Sequence, residues 1–234
     1  MNKIVGFEKL SLVDFDSYVT CTIFVSDCNF RCPFCHNSSL VIEKDSLKEY
    51  KKEEILSYLE SRKKMIDAVC ISGGEPTLYS GLDNLIDDVK KLGFLVKLDT
   101  NGSNYEVLKR LISEKKIDYV AMDVKNGNES YFETIGLNQK YINLYDNVLK
   151  SIELLKKSDI EYEFRTTLVN EFHKEKDIYD LRDLVSGAKK LFLQKFVDRG
   201  TCIRNDLHEV SLELALKYKE ILEKEVKEVN LRGY

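Results

Sequence analysis

The 234-residue sequence lacks the features that divide a chain into parts. It has two prolines, no low-complexity segment and no linker-like stretch, so a single domain over residues 1–234 is the simplest expectation. No apolar run approaches the roughly 18 residues of a membrane span. The opening stretch, MNKIVGFEKL, lacks the long apolar core of a secretory signal. A cytoplasmic location with no membrane association is therefore expected. The net charge of −4 offers no electrostatic reason for a nucleic-acid partner. The sequence also has no GxxxxGK[ST] phosphate loop and no Ser–His–Asp arrangement, so demanding chemistry would have to come from a cofactor.

Histidine is scarce, and that limits how the six cysteines can be read. In a reducing compartment a disulfide framework is not expected, and metal binding is the stronger reading of any cysteine cluster. Cys21, Cys70 and Cys202 are isolated in or beside apolar stretches and read as small core residues. Cys28, Cys32 and Cys35 instead fall within eight residues, in SDCNFRCPFCHN (26–37). A closed zinc site needs a fourth ligand. His36 is poorly placed next to Cys35, while His173 and His208 lie far along the chain without ligand spacing. A 4Fe–4S cluster held by three thiolates leaves one iron open, as a catalytic centre requires.

Six short apolar, β-branched segments read as strands: 20–26, 68–72, 94–100, 119–124, 161–169 and 191–197. Helical spacing fills the intervals at 52–64, 82–91, 105–114, 145–157, 176–188 and 212–227, and VNLRGY near the end is strand-like. Alternation of this kind predicts an α/β fold with a parallel sheet. Polar motifs cluster at the C-terminal ends of the strands, where β/α barrels build their sites. An incomplete (β/α)6 TIM-like barrel is therefore expected.

The spacing CNFRCPFC, with Phe34 before the last cysteine, resembles the radical S-adenosylmethionine superfamily. ISGGEPTL (71–78) alone reads as a tight glycine turn after a strand. Beside the cysteine trio it resembles that family's motif for the amino group of the methionine moiety. The resemblance implies a 4Fe–4S cluster on Cys28, Cys32 and Cys35, with S-adenosylmethionine chelating the open iron and one electron cleaving its sulfonium. It further implies cofactor contacts from Gly73, Gly74 and Glu75, with Phe34 against the adenine. KLDTNG (97–102) and AMDVK (121–125) resemble glycyl-radical-enzyme activases. There Asp99, Thr100 and Asn101 would approach the cofactor, and Asp99, Thr100 and Asp123 would also hold a monovalent cation. Lys125 would pair with the cofactor carboxylate, and Arg165 points the same way.

The run SGGEPTLYSGL…GFLVKLDTNGS…DYVAMDVK…EFRTTLV…FLQKFV is most similar to activating proteins of anaerobic ribonucleoside-triphosphate reductases, a likeness covering residue 4 to about 232. It implies a glycyl radical enzyme as protein substrate and an electron donor such as flavodoxin or ferredoxin. The sequence departs from the pattern at Asp27, where the family usually has glycine, and at DFDS (14–17), which replaces the DGPG turn of pyruvate formate-lyase activases. Val197 stands about where those activases have histidine. Residues 36–70 contain only Cys70, so one cluster is expected. An activase of the pyruvate formate-lyase type, a radical enzyme acting on a small molecule, and a non-catalytic iron or zinc module remain as alternatives. Because a coordinating thiolate has no good substitute, Cys32→Ala should lose most of the iron of reconstituted protein while Cys70→Ala keeps it. Equal iron contents would contradict the ligand assignment.

Overall fold

The computed structural model describes residues 2–43 and 45–234. Its elements in chain order are β1 (Ile4–Ser11), β2 (Thr20–Val25), α1 (Ser38–Ile42), α2 (Lys52–Ser61), β3 (Ala68–Gly73) and α3 (Leu82–Lys91). There follow β4 (Leu95–Thr100), α4 (Tyr105–Ser113), β5 (Tyr119–Asp123), α5 (Tyr131–Thr134), α6 (Ile142–Lys157) and β6 (Glu161–Leu168). The last four are α7 (Glu175–Leu184), β7 (Leu191–Lys195), α8 (Leu212–Leu222) and β8 (Val229–Arg232). The eight strands lie in the sheet in the order of the chain. The expected α/β class holds, and the six expected strands are β2 to β7. Among the described residues, no helix is long and apolar enough to cross a membrane.

The sheet gains a strand at each edge. β8 is the strand-like VNLRGY piece. β1 runs antiparallel to β2, with register shifts between Ile4 and Gly6 and between Glu8 and Ser11. Those shifts break the period-2 alternation, and only Ile4 and Ser11 of β1 are buried, so its sequence carries little strand signal.

By their contacts the residues group into two compact units. The first comprises Met1–Asn29, Ser39–Thr100 and Asn104–Ala121; the second comprises Phe30–Ser38, Asn101–Ser103 and Met122–Tyr234. In the first, β2 pairs parallel with β3 without a break from Thr20↔Ala68 to Val25↔Gly73, and β3 pairs with β4 from Ala68↔Leu95 to Ile71↔Leu98. Both faces of these strands are largely buried, in keeping with their near-continuous apolar runs, with Thr20, Thr22 and Lys97 among the buried polar exceptions. Leu82, Leu85, Ile86 and Val89 recur at helical spacing on α3, and all four are buried. Asp83 in the first turn and Lys90 and Lys91 in the last complement the helix dipole. Gly93, at φ +91°, ends the helix in the left-handed conformation that a side chain rarely adopts.

In the second unit β6, β7 and β8 pair parallel, Phe164↔Leu191 to Leu168↔Lys195 and Leu191↔Val229 to Gln194↔Arg232. Val148, Ser151, Ile152 and Leu155 form the buried face of α6, and the Ser151 hydroxyl donates to the Gly102 carbonyl at 2.7 Å. α7 and α8 end earlier than their periodicity predicts. Gly187, at φ +79°, follows α7, and beyond α8 the Val226 amide turns back onto the Leu222 carbonyl at 3.0 Å.

The two kinds of contact on α3 differ in expected weight. Ile86→Ala leaves a cavity in a closed core and should cost about 3 kcal/mol. Lys116→Ala removes a partly exposed pair with Asp87, of 2.7 Å, and should cost under ~1 kcal/mol. Urea midpoints measure both, and equal shifts would contradict this account of where stability lies.

Candidate active site

In the first unit the site residues lie at or just beyond the C-terminal ends of three parallel strands. Gly73 and Gly74 are required there by backbone crowding. A Cβ on Gly73 would lie 2.3 Å from the Val25 carbonyl oxygen, and one on Gly74 would lie 1.8 Å from that of Asp27. The crowding comes from pairing that continues past the strands. The Gly74 amide donates to the Val25 carbonyl and the Glu75 amide to the Asp27 carbonyl, both at 2.8 Å. Asp27 itself has φ +74°, which accounts for the glycine usual at that position. Aspartate tolerates this conformation, and its Oδ1 accepts from the Cys28 amide at 3.0 Å, fixing the backbone at the first cysteine.

The Glu75 carboxylate is fully buried. Its Oε1 accepts from the Thr77 amide at 3.1 Å, the Thr77 hydroxyl at 2.6 Å and the Thr100 hydroxyl at 2.7 Å. Glu75 and Thr100, both expected near the cofactor, are thus bonded to each other across the ends of β3 and β4. Asp99 accepts from the Ser72 hydroxyl at 3.0 Å and lies 3.4 Å from the Lys97 ammonium. Lys97 is nearly fully buried, bonds the Asp14 carbonyl, and has the rings of Phe15 and Tyr119 each 5.9 Å away.

In the second unit the Asp123 carboxylate is shared. Arg165 Nε donates to Oδ1 at 2.8 Å and Lys125 Nζ to Oδ2 at 2.9 Å. Burial works against the charged carboxylate, but the guanidinium and ammonium outweigh it and hold its pKa at about 2. Burial likewise opposes the Lys125 ammonium, and the adjacent Asp123 charge still raises it above the ordinary lysine value.

Cys32 and Cys35 belong to this unit and are joined by a turn in which the Cys35 amide donates to the Cys32 carbonyl at 3.0 Å. Burial pushes the Cys32 thiol up to about 12, with the Lys125 ammonium as the opposing influence. The Cys35 thiol is raised by burial too, again opposed by Lys125. The Arg31 amide donates to the Ile135 carbonyl at 2.9 Å. Gly136, at φ +66°, leaves no room for a Cβ, which would stand 2.0 Å from the Arg31 oxygen. The Phe34 ring packs at 5.9 Å against Phe172, and Asn101 accepts from the Ser103 amide at 2.9 Å in a local turn.

The family model described as the radical SAM superfamily matches residues 22–185. The chain belongs to the radical SAM superfamily. A Methanocaldococcus jannaschii protein named as a glycyl-radical enzyme activating enzyme is 36% identical, over 82% of this chain and 78% of that protein. A GTP 3′,8-cyclase of Clostridium perfringens is 26% identical over 83% of this chain and 61% of that enzyme. The crystal structure of Streptococcus suis SuiB superposes with a TM-score of 0.67 at 17% identity, covering 89% of this chain and 47% of SuiB. That last likeness shows the fold, and the chain spans about half of SuiB.

Radical SAM proteins use a 4Fe–4S cluster and S-adenosylmethionine. Thiolates are the donors that such a cluster takes, and none of the six cysteines is in a disulfide. The Lys125 ammonium acts against the burial that raises the Cys32 and Cys35 thiols. The two carboxylates expected to share a monovalent cation each have a cation of the chain beside them: Lys97 at Asp99, and Lys125 and Arg165 at Asp123. Sequence reasoning missed Lys97, whose signal was a lysine two residues before Asp99 in an apolar strand, hence on the same face.

The folded pKa of Asp123 lies below its unfolded value of about 3.9, so its pairing stabilises the protein above that value. That contribution is lost as pH falls from about 4 through about 2. Wild-type melting temperature should drop more steeply over that interval than that of Asp123→Asn, which has no carboxyl to titrate. At pH 7 Asp123→Asn should be less stable by about 2 kcal/mol, because two cations lose their shared anion. Parallel pH profiles would contradict the shared-carboxylate account.

Proposed function

We propose that this radical SAM protein is an activase: it cleaves S-adenosylmethionine reductively and generates a glycyl radical on a partner enzyme. The observation that carries the reading is the 36% identity, over most of both chains, with a protein named as such an activating enzyme. The proposed partner is an anaerobic ribonucleoside-triphosphate reductase, supported by the run of strand-end motifs from SGGEPTL to FLQKFV. A cytoplasmic location and a flavodoxin- or ferredoxin-like electron donor belong to the same proposal.

When bound, the cluster and cofactor supply one electron and a carbon centre that abstracts hydrogen. Cys28, Cys32 and Cys35 would hold the cluster. Gly73, Gly74 and Glu75 would present polar groups to the methionine end of the cofactor, beside Asp99, Thr100 and Asn101. Lys125 would pair with its carboxylate and Phe34 would lie against the adenine. Asp123 would act through Lys125 and Arg165, whose cationic groups it holds in place. The substrate hydrogen is that of a glycine Cα, which must come within roughly 3–3.5 Å of the abstracting carbon. A peptide backbone must therefore enter at the strand ends.

Electron paramagnetic resonance of frozen, reduced mixtures with the co-expressed glycyl radical enzyme tests this. The expected result is a doublet on the partner that disappears when its radical-loop glycine is changed to alanine. Consumption of a small metabolite with the cofactor, and no doublet, would overturn the activase reading. It would favour the small-molecule chemistry named for the cyclase relative.

A further inference from the structure

The segment VNEFHK (169–174), between β6 and α7, has no part in the roles assigned so far. The imidazole of His173 is fully buried. Nδ1 lies 3.0 Å from the Val169 amide and 3.1 Å from the Val169 carbonyl, while Nε2 faces the Lys125 carbonyl, which can only accept; a neutral ring therefore carries its proton on Nε2 and accepts from the Val169 amide at Nδ1. Nε2–H then donates to the Lys125 carbonyl at 2.9 Å. Burial lowers the pKa of the imidazole below its ordinary value and so favours the neutral ring.

The same turn is anchored on other sides. The Tyr218 hydroxyl donates to the His173 carbonyl at 3.0 Å. Asn126 Nδ2 donates to the Phe172 carbonyl and to the Thr134 hydroxyl, each at 2.9 Å. The Phe172 ring lies against Phe34, with the Arg204 guanidinium 5.7 Å from its centroid. One turn therefore touches both Lys125, through its backbone, and Phe34, through its ring.

We propose that His173 is a positioning residue whose Nε2–H fixes the backbone at Lys125, while the neighbouring Phe172 braces Phe34 from the same turn. The inference rests on the reading above that Lys125 and Phe34 face the cofactor. A lysine ammonium on a flexible four-carbon stem is placed no better than its backbone. Without the histidine donor, the Lys125 carbonyl loses a partner and the strand end is free to shift by the fraction of an ångström that matters for a bound ligand.

The test uses cluster-loaded protein and equilibrium binding of S-adenosylmethionine under anaerobic conditions. His173→Gln keeps an acceptor and a donor at nearly the same reach and should bind within about twofold of wild type. His173→Asn is too short to reach both partners. It should bind about tenfold more weakly, with iron content and cluster absorbance unchanged. Combined with Lys125→Met, its effect should be less than additive, because both changes act on one contact. Wild-type affinity in His173→Asn, full additivity with Lys125→Met, or affinity lost only in step with iron and melting temperature would overturn the inference. If cluster-loaded wild type binds no S-adenosylmethionine, the cofactor reading itself fails and takes this inference with it.

Discussion

A carboxylate that stays charged while three-quarters buried organises the second unit. Burial by itself would raise the Asp123 carboxyl pKa, and only cations at 2.8 and 2.9 Å reverse that. The requirement works in both directions, since Arg165 and Lys125 need the anion as much as it needs them. It therefore fixes the relation between the end of β5 and the middle of β6. The Lys125 ammonium in turn opposes, without reversing, the burial that raises the Cys32 and Cys35 thiols. Electrostatics and strand register thus meet at one residue.

In the first unit the organising constraint is steric. Parallel pairing of β2 and β3 continues into the polypeptide beyond them, so that backbone atoms occupy the space where side chains would stand at Gly73 and Gly74. The glycines, expected from the resemblance as cofactor contacts, also allow close approach of one backbone to another. Asp27 solves the neighbouring problem without glycine, accepting a left-handed conformation and capping the amide of Cys28. Glu75 is tied in by three donors, so the ends of β3 and β4 form one hydrogen-bonded piece.

Much of this was legible in the sequence, for identifiable reasons. Strands buried on both faces leave near-continuous apolar runs, and β2 to β7 were found within a few residues. The cysteine spacing and the strand-end motifs are local, so their chemistry could be read without a fold. β1 escaped because its register shifts destroy alternation. Lys97 and His173 escaped because their significance is tertiary. A lysine within an apolar strand gives no hint of the Asp14 carbonyl 83 residues away, nor a histidine after β6 of the Lys125 carbonyl 48 residues away. The role of Glu75 as an acceptor for two threonines is likewise invisible until two strands lie side by side.

The chemistry proposed for this fold, with three cysteines on one loop, is reductive cleavage of S-adenosylmethionine. The direct measurement is product analysis of cluster-loaded protein incubated anaerobically with S-adenosylmethionine and a strong one-electron reductant. Methionine and 5′-deoxyadenosine should form in equal amounts, and only when cluster and reductant are both present. Intact S-adenosylmethionine after incubation with protein carrying a full, reducible cluster would contradict it.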